Sequence, residues 1–141
     1  MLYIRNIETI IEEIYQENQL DLQYEVNSTL PSPMSFNVST NTLAFNYLQV
    51  NGYMSKVKIQ ESEEDFVRIM IYRELGYYIT FKKHRPDMRT LLYGGDAEVA
   101  ELKAEIETNA WDYGRELVPD RLKQSYDIVR ERDGMLLNGR L

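Results

Sequence analysis

The stretch FVRIMIYRELGYYITFKKH, Phe66 to His84, constrains this chain more than any other. On a helical wheel at about 100° per residue, Phe66, Ile69, Met70, Arg73, Tyr77 and Phe81 fall on one side. Val67, Ile71, Glu74 and Tyr78 lie on the adjacent flank, with Leu75 and Ile79 roughly opposite. A helix that is apolar around nearly its whole circumference belongs inside a protein. Its polar exceptions, Arg73 and Glu74, sit on or beside the most apolar face, where a carboxylate is costly without a positive partner.

Local signals bound this helix and place the rest of the chain around it. Ser62-Glu63-Glu64-Asp65 predicts its start, with Ser62 as cap, Asp65 at the third position of a capping box and an acidic first turn that suits the dipole. Pro86 forbids continuation much beyond Lys83. Ile4, Ile7, Ile10, Ile11, Ile14 and Tyr15 recur at helical spacing and predict an amphipathic first helix over residues 4–18. Leu20 to Val26 alternates as a short strand. After the loop marked by Pro31 and Pro33, Phe36 and Val38, then Leu43 and Phe45, alternate on either side of Ser39-Thr40-Asn41, the pattern of a β-hairpin. Leu48 to Gln60 is ambiguous, and Val57-Lys58-Ile59 reads as one further short strand. Beyond Tyr93-Gly94-Gly95, Asp96 is expected to cap a helix reaching about Leu117. Pro119-Asp120 opens a last helix to about Arg132, which Asp133-Gly134 stops, leaving a short tail. One helix, a small antiparallel sheet within about residues 20–60 and then three helices make an α+β fold. No repeat or linker divides the chain, so residues 1–141 read as a single domain.

Composition narrows the chemistry. With no cysteine there is no disulfide framework, zinc ribbon or thiol nucleophile. No G-x-S-x-G elbow occurs, and Tyr93-Gly94-Gly95-Asp96 lacks the spacing and lysine of a phosphate loop. No window approaches the ~18 apolar residues of a membrane helix, and the N-terminus has no secretory layout. No membrane partner and a cytoplasmic location are therefore expected. A net charge of -7 argues against direct nucleic-acid binding, which draws on neutralised phosphates. The one dense basic cluster, Lys82-Lys83-His84-Arg85, suits the negative end of a helix dipole. Asp96, Glu98, Glu101, Glu105 and Glu107 read as a solvated helix face.

Within the central helix, Arg73-Glu74-Leu75-Gly76-Tyr77-Tyr78 (RELGYY) resembles HELGHY, the core of a zinc metallopeptidase helix. Such a helix presents two histidines at i and i+4 to one metal, and a glutamate beside the first acts as general base. The ligand positions here are Arg73 and Tyr77, and the base position is Glu74. Arginine has no lone pair to give, tyrosine is a poor zinc ligand at neutral pH, and His84 is the single histidine. Neither a metal nor another cofactor is expected. Downstream, EIETNAWDYGRELVPDR (Glu105 to Arg121) is similar to the segment after the zinc helix of ImmA/IrrE-type metallopeptidases, roughly E-x-E-A-x-x-F-A-x-x-L-x-x-P, which supplies the third ligand. Ala110, Tyr113, Gly114, Glu116, Leu117 and Pro119 match in type with a one-residue slip, and Asn109 or Glu107 falls near the ligand position. Upstream, MSFNVSTNTLAFN resembles the family's small antiparallel unit at the cleft edge.

The resemblance covers residues 4–121 in order. It implies a zincin-like fold and a lineage of regulatory proteins of bacteria and their phages, whose members act with helix-turn-helix repressors. With both motif histidines missing it implies a pseudoenzyme rather than a peptidase. Two roles are open for Arg73: its guanidinium replaces the metal cation by pairing with Glu107 or Glu74, or it snorkels from a partly exposed face. Tyr77, Tyr78, Trp111 and Tyr113 are candidates to line a groove for a partner segment, the other possibility being that they form core with hydroxyls at its rim. The expected function is non-catalytic binding of a protein partner such as a helix-turn-helix repressor. The alternative is a small acidic inhibitor or antitoxin that sequesters a basic enzyme, and a third possibility is a hydrolase with another metal arrangement. The sequence does not fix the oligomeric state.

Overall fold

The computed structural model describes residues 1–137 and 139. The fold is α+β, with six helices and one three-stranded sheet: α1 (Ile4–Glu17), β1 (Gln23–Val26), β2 (Met34–Asn37), β3 (Thr42–Phe45), α2 (Tyr47–Lys56), α3 (Glu63–Lys83), α4 (Met88–Tyr93), α5 (Asp96–Leu117) and α6 (Asp120–Leu137). Among the described residues no helix is long and apolar enough to cross a membrane.

The isoleucine stripe of α1 is its buried face: Ile7, Ile10, Ile11, Ile14 and Tyr15 all enter the core. The helix ends where Gln19 takes the left-handed conformation at φ 53°. The hairpin β2–β3 is antiparallel, with Met34 opposite Phe45 and Phe36 opposite Leu43. Asn41 at its turn is also left-handed, at φ 52°, which a short polar side chain tolerates better than most. The sheet is mixed rather than antiparallel as expected. The loop through Pro31 and Pro33 separates β1 from β2, so β1 adds to the free side of β3 and runs parallel to it, giving the order β1-β3-β2 with β2 at an edge. The strand β1 is shorter than the alternation from Leu20 suggests.

Three further expectations are corrected. No strand forms at Val57-Lys58-Ile59; Tyr47–Lys56 is helical instead, capped by Asn46, whose side chain accepts from the Leu48 amide. Val57 follows as the buried C-cap of that helix. The cap of α5 is Gly95 rather than Asp96, which is already the first helical residue. Asp133-Gly134 does not stop α6, which continues to Leu137. The Asp133 carboxylate accepts from the Tyr53 hydroxyl at 2.7 Å rather than bonding local backbone, and Leu136 packs against the core one turn on. That packing outweighs the ~1 kcal/mol a helical glycine costs. The tail expected beyond residue 134 lies only partly within the described residues.

Ser62 caps α3 as expected, accepting from the Asp65 amide at 3.1 Å. The Asp65 carboxylate turns to Arg68 and Arg121. Ten residues of α3 are buried, including Glu74 and Gly76, and the most extensive contact in the molecule is between α3 and α5. The two helices run antiparallel at very short range. A β-carbon at Gly76 would overlap the Ala110 carbonyl, and one at Gly114 would lie 2.5 Å from the Tyr72 carbonyl oxygen and 2.6 Å from the Tyr126 hydroxyl. The Tyr126 hydroxyl donates to the Trp111 carbonyl at 2.7 Å and locks α6 onto the same junction.

Candidate functional site

The α3–α5 junction sets the site. Because Gly76 and Gly114 let the backbones meet, the neighbouring row of side chains on each helix is brought face to face. Arg73 and Tyr77, one turn apart on α3, both reach Glu107 on α5: the guanidinium pairs with one carboxylate oxygen and the Tyr77 hydroxyl donates to the other. Arg73 also donates to its neighbour Glu74 at 2.9 Å. Its guanidinium carbon stands 4.8 Å from the Tyr77 ring centre and 5.1 Å from that of Trp111, both within cation–π range. One arginine thus lies between two carboxylates and two aromatic faces.

The electrostatics follow from burial. The Glu74 residue is 7% exposed. Burial pushes its carboxyl up to about 7, against the pull of Arg73, while the charge of Glu107 adds to the rise. The Phe36 backbone amide, on the edge strand β2, acts in the opposite sense by favouring the carboxylate. Burial works against the charge of Arg73, but Glu74, Tyr77 and Glu107 more than offset it, so the guanidinium stays protonated. Burial likewise raises the Tyr77 phenol above its usual range. Two acids share one cation here, and burial favours the protonated form of Glu74.

Above the cluster opens a cleft of about 680 Å³. The edge segment Pro31–Phe36 forms one wall, Gly52, Tyr53 and Lys56 of α2 a second, and Trp111 the floor beside Arg73. Asp133 and Leu136 of α6 close the far side.

The structure brings together Arg73, Glu74, Tyr77, Glu107 and Trp111. Asn109, the other reading of the third ligand position, does not line the cleft. The four aromatic candidates do not share one groove. Tyr78, about 100° around α3 from Tyr77, packs edge-on against Phe36 at 5.8 Å and carries Lys82 on its outer face at 5.6 Å. Tyr113, two positions past Trp111 and so on the other side of α5, stacks on His84 at 5.9 Å. The reason is helical geometry, because residues one or two apart never share a face. The structure adds the Phe36 amide, Tyr53 and Asp133. Nothing in local sequence marks those three, which come from separate elements. The glycines at 76 and 114 did leave a trace, since a glycine inside a buried helix usually has a packing reason.

The donor set does not fit the zinc ion that the resemblance implies. Arg73 offers no lone pair, Tyr77 holds its proton more tightly than a free phenol, and among the described residues no three His, Cys, Asp or Glu side chains converge. What the arrangement can do is hold a cation between carboxylates and rings, with Arg73 supplying it. Comparison with protein-family models, curated proteins and solved structures finds no match in any of the three.

Proposed function

We propose that this chain is a non-catalytic, metallopeptidase-like regulatory protein that binds a segment of a protein partner, such as a helix-turn-helix repressor, in the cleft above Arg73. The observation that carries this reading is the position of the Arg73 guanidinium. It meets Glu107 beside Tyr77, where the RELGYY resemblance to ImmA/IrrE-type enzymes puts the metal, and the cleft remains open above it. A cation fixed in place retains the architecture of a binding cleft without offering a Lewis acid to polarise a carbonyl. By the same resemblance the protein is cytoplasmic and belongs to a bacterium or phage. A second reading, an acidic inhibitor or antitoxin of a basic enzyme, draws support from the net charge of -7 and from three cleft-lining carboxylates, Glu74, Glu107 and Asp133, against Arg73 and Lys56.

Calorimetry against purified helix-turn-helix repressors tests the first reading. Gly52 lines the cleft with open space around its α-carbon, so Gly52→Arg narrows the mouth without straining the fold. The wild type is expected to bind an intact repressor and leave it uncut, and Gly52→Arg to bind it at least about tenfold more weakly, a loss of about 1.4 kcal/mol. Equal binding by both would remove the cleft from the account, and cleavage would remove the word non-catalytic. The lineage has its own check. Arg73→His combined with Tyr77→His should create a Zn²⁺ site with Glu107, read as a metal-dependent rise in melting temperature, and its failure would leave the resemblance without support.

A further inference from the structure

We infer that the end of the molecule built from the C-terminus of α3, α4 and the first half of α5 is a two-fold interface for a second copy of this chain. The inference is independent of the cleft. No residue from Phe81 to Asn109 is buried, although this span includes all of α4 and the first fourteen residues of α5. Within it Met88, Leu92 and Tyr93 are 39%, 68% and 85% exposed. Helices of this length normally hold their place by burying an apolar face, and here the outer apolar face has nothing on it.

The charges around that face are unspent. Arg85 and Arg89 form no ion pair among the described residues, nor do Glu98, Glu101 and Glu105, whereas Arg68, Arg73, Arg115, Arg121 and Arg130 each engage a carboxylate elsewhere. Lys82 and Lys83 rest on the rings of Tyr78 and Tyr113 with no carboxylate partner among the described residues. Helix dipoles account for Lys82 and Lys83 in the last turn of α3 and for Asp96 and Glu98 in the first turn of α5. They do not account for Arg85, Arg89, Glu101 or Glu105, which lie outside those turns. The stretch also contains one charge of each opposite sign: Asp87, which caps α4, and Lys103 in the acidic run.

Order along the chain selects the partner. The basic stretch 82–89 comes before the exposed Leu92 and Tyr93, and the acidic stretch 96–105 comes after them. Since α3 and α5 are antiparallel, both stretches lie at one end of the molecule. A two-fold axis near Leu92 and Tyr93 sets each basic stretch on the other copy's acidic stretch, the self-complementarity an isologous contact requires. An anionic lipid surface would attract the first stretch and repel the second, in a protein whose net charge is already -7.

Analytical ultracentrifugation of the full chain at low salt and in 1 M salt, where the screening length falls to about 3 Å, tests the inference. A concentration-dependent dimer at low salt that dissociates at high salt is expected. The pair Arg85→Glu, Arg89→Glu and the pair Glu98→Lys, Glu101→Lys should each give monomers, and mixing the two variants should restore a dimer, because every contact is again between opposite signs. Leu92→Asp should dissociate the dimer and leave the melting temperature of the monomer unchanged. A wild-type monomer at every concentration, or a dimer indifferent to the charge reversals, overturns the inference. So does a monomer that sediments with phosphatidylserine vesicles through Arg85 and Arg89, which would assign the end to a lipid surface.

Discussion

The two halves of α5 belong to the same helix and have opposite environments. From Ala110 onward the helix is fixed: Ala110, Trp111 and Gly114 are buried, and its backbone lies against α3 so closely that no β-carbon fits at Gly76 or Gly114. Before Ala110 nothing is buried at all. Glu107 stands at the border between them and is the carboxylate that meets Arg73 and Tyr77. A rigid junction and a free-standing projection therefore meet at the candidate site, and stability is concentrated on one side of it.

The sharpest way to break this contrast is at the glycines. Gly76→Ala forces a methyl group into the Ala110 carbonyl, a backbone atom that cannot swing aside. It should cost more than about 3 kcal/mol, beyond the usual range for overpacking, measured by urea denaturation. Gly134→Ala is the control: with nothing near its α-carbon and a helical backbone, it should instead stabilise by about 0.5–1 kcal/mol. If Gly76→Ala unfolds at the wild-type midpoint, the close junction is wrong.

Next in size is Arg73→Met. Above about pH 8, where Glu74 of the folded wild type is charged, removing the cation leaves that carboxylate buried and without its positive partner, a change that typically costs about 3–5 kcal/mol. The loss should shrink at acid pH, where Glu74 is neutral, and adding Glu74→Gln should recover most of it. An Arg73 that merely reached solvent would give a small loss with no dependence on pH.

The same carboxyl gives wild-type stability a pH slope. Its folded pKa, about 7, lies above the ordinary 4.5 because burial disfavours the charge. The folded state therefore binds the proton more tightly than the unfolded chain, and this contribution is complete below about pH 4.5 and lost as pH rises through about 7. The change across that window should be on the order of 3 kcal/mol, and Glu74→Gln should flatten it. Asp65 has the opposite sign: Arg121, with further help from Arg68, holds its carboxyl below 3.8, so its contribution is lost only at lower pH. A flat curve between pH 4.5 and 7 would mean Glu74 is better solvated than its surroundings indicate.

The smallest expected effect is in the projection. Leu92→Ala, at a residue 68% exposed, should leave the unfolding free energy of the monomer within about 0.5 kcal/mol, the usual range for surface changes. A larger loss would show that α4 and the first half of α5 form a core of their own.

Much of the fold was legible because period and punctuation agreed. The stripe of α1, the hairpin around Ser39-Thr40-Asn41 and the long apolar α3 each announce themselves locally. The helix α2 did not, because Asn51-Gly52 interrupts it and its apolar positions form no clear stripe. Six-residue α4 is too short for periodicity to show. The end of α6 was misread because Asp133 usually signals local capping, and its actual partner, Tyr53, is eighty residues away in sequence. At the site, the pairing of Arg73 with Glu107 was one of two roles left open for Arg73 by the resemblance, and only the packing of α3 on α5 selects it. The cleft walls do not, since β2, α2 and α6 converge only through tertiary packing.

Trp111 is the only tryptophan in the chain, and it stands in the floor of the cleft, 5.1 Å from the Arg73 guanidinium and edge-on to Tyr126 at 5.4 Å. The unmodified protein therefore has an intrinsic optical probe at the place of interest. Indole emission responds to nearby charge and to the entry or loss of water, so ligand seating above Arg73 and titration of Glu74 should both appear as shifts in its fluorescence. The eleven tyrosines can pass excitation to the same indole, which makes one inexpensive spectrum a report on the cleft and on the packing that forms it.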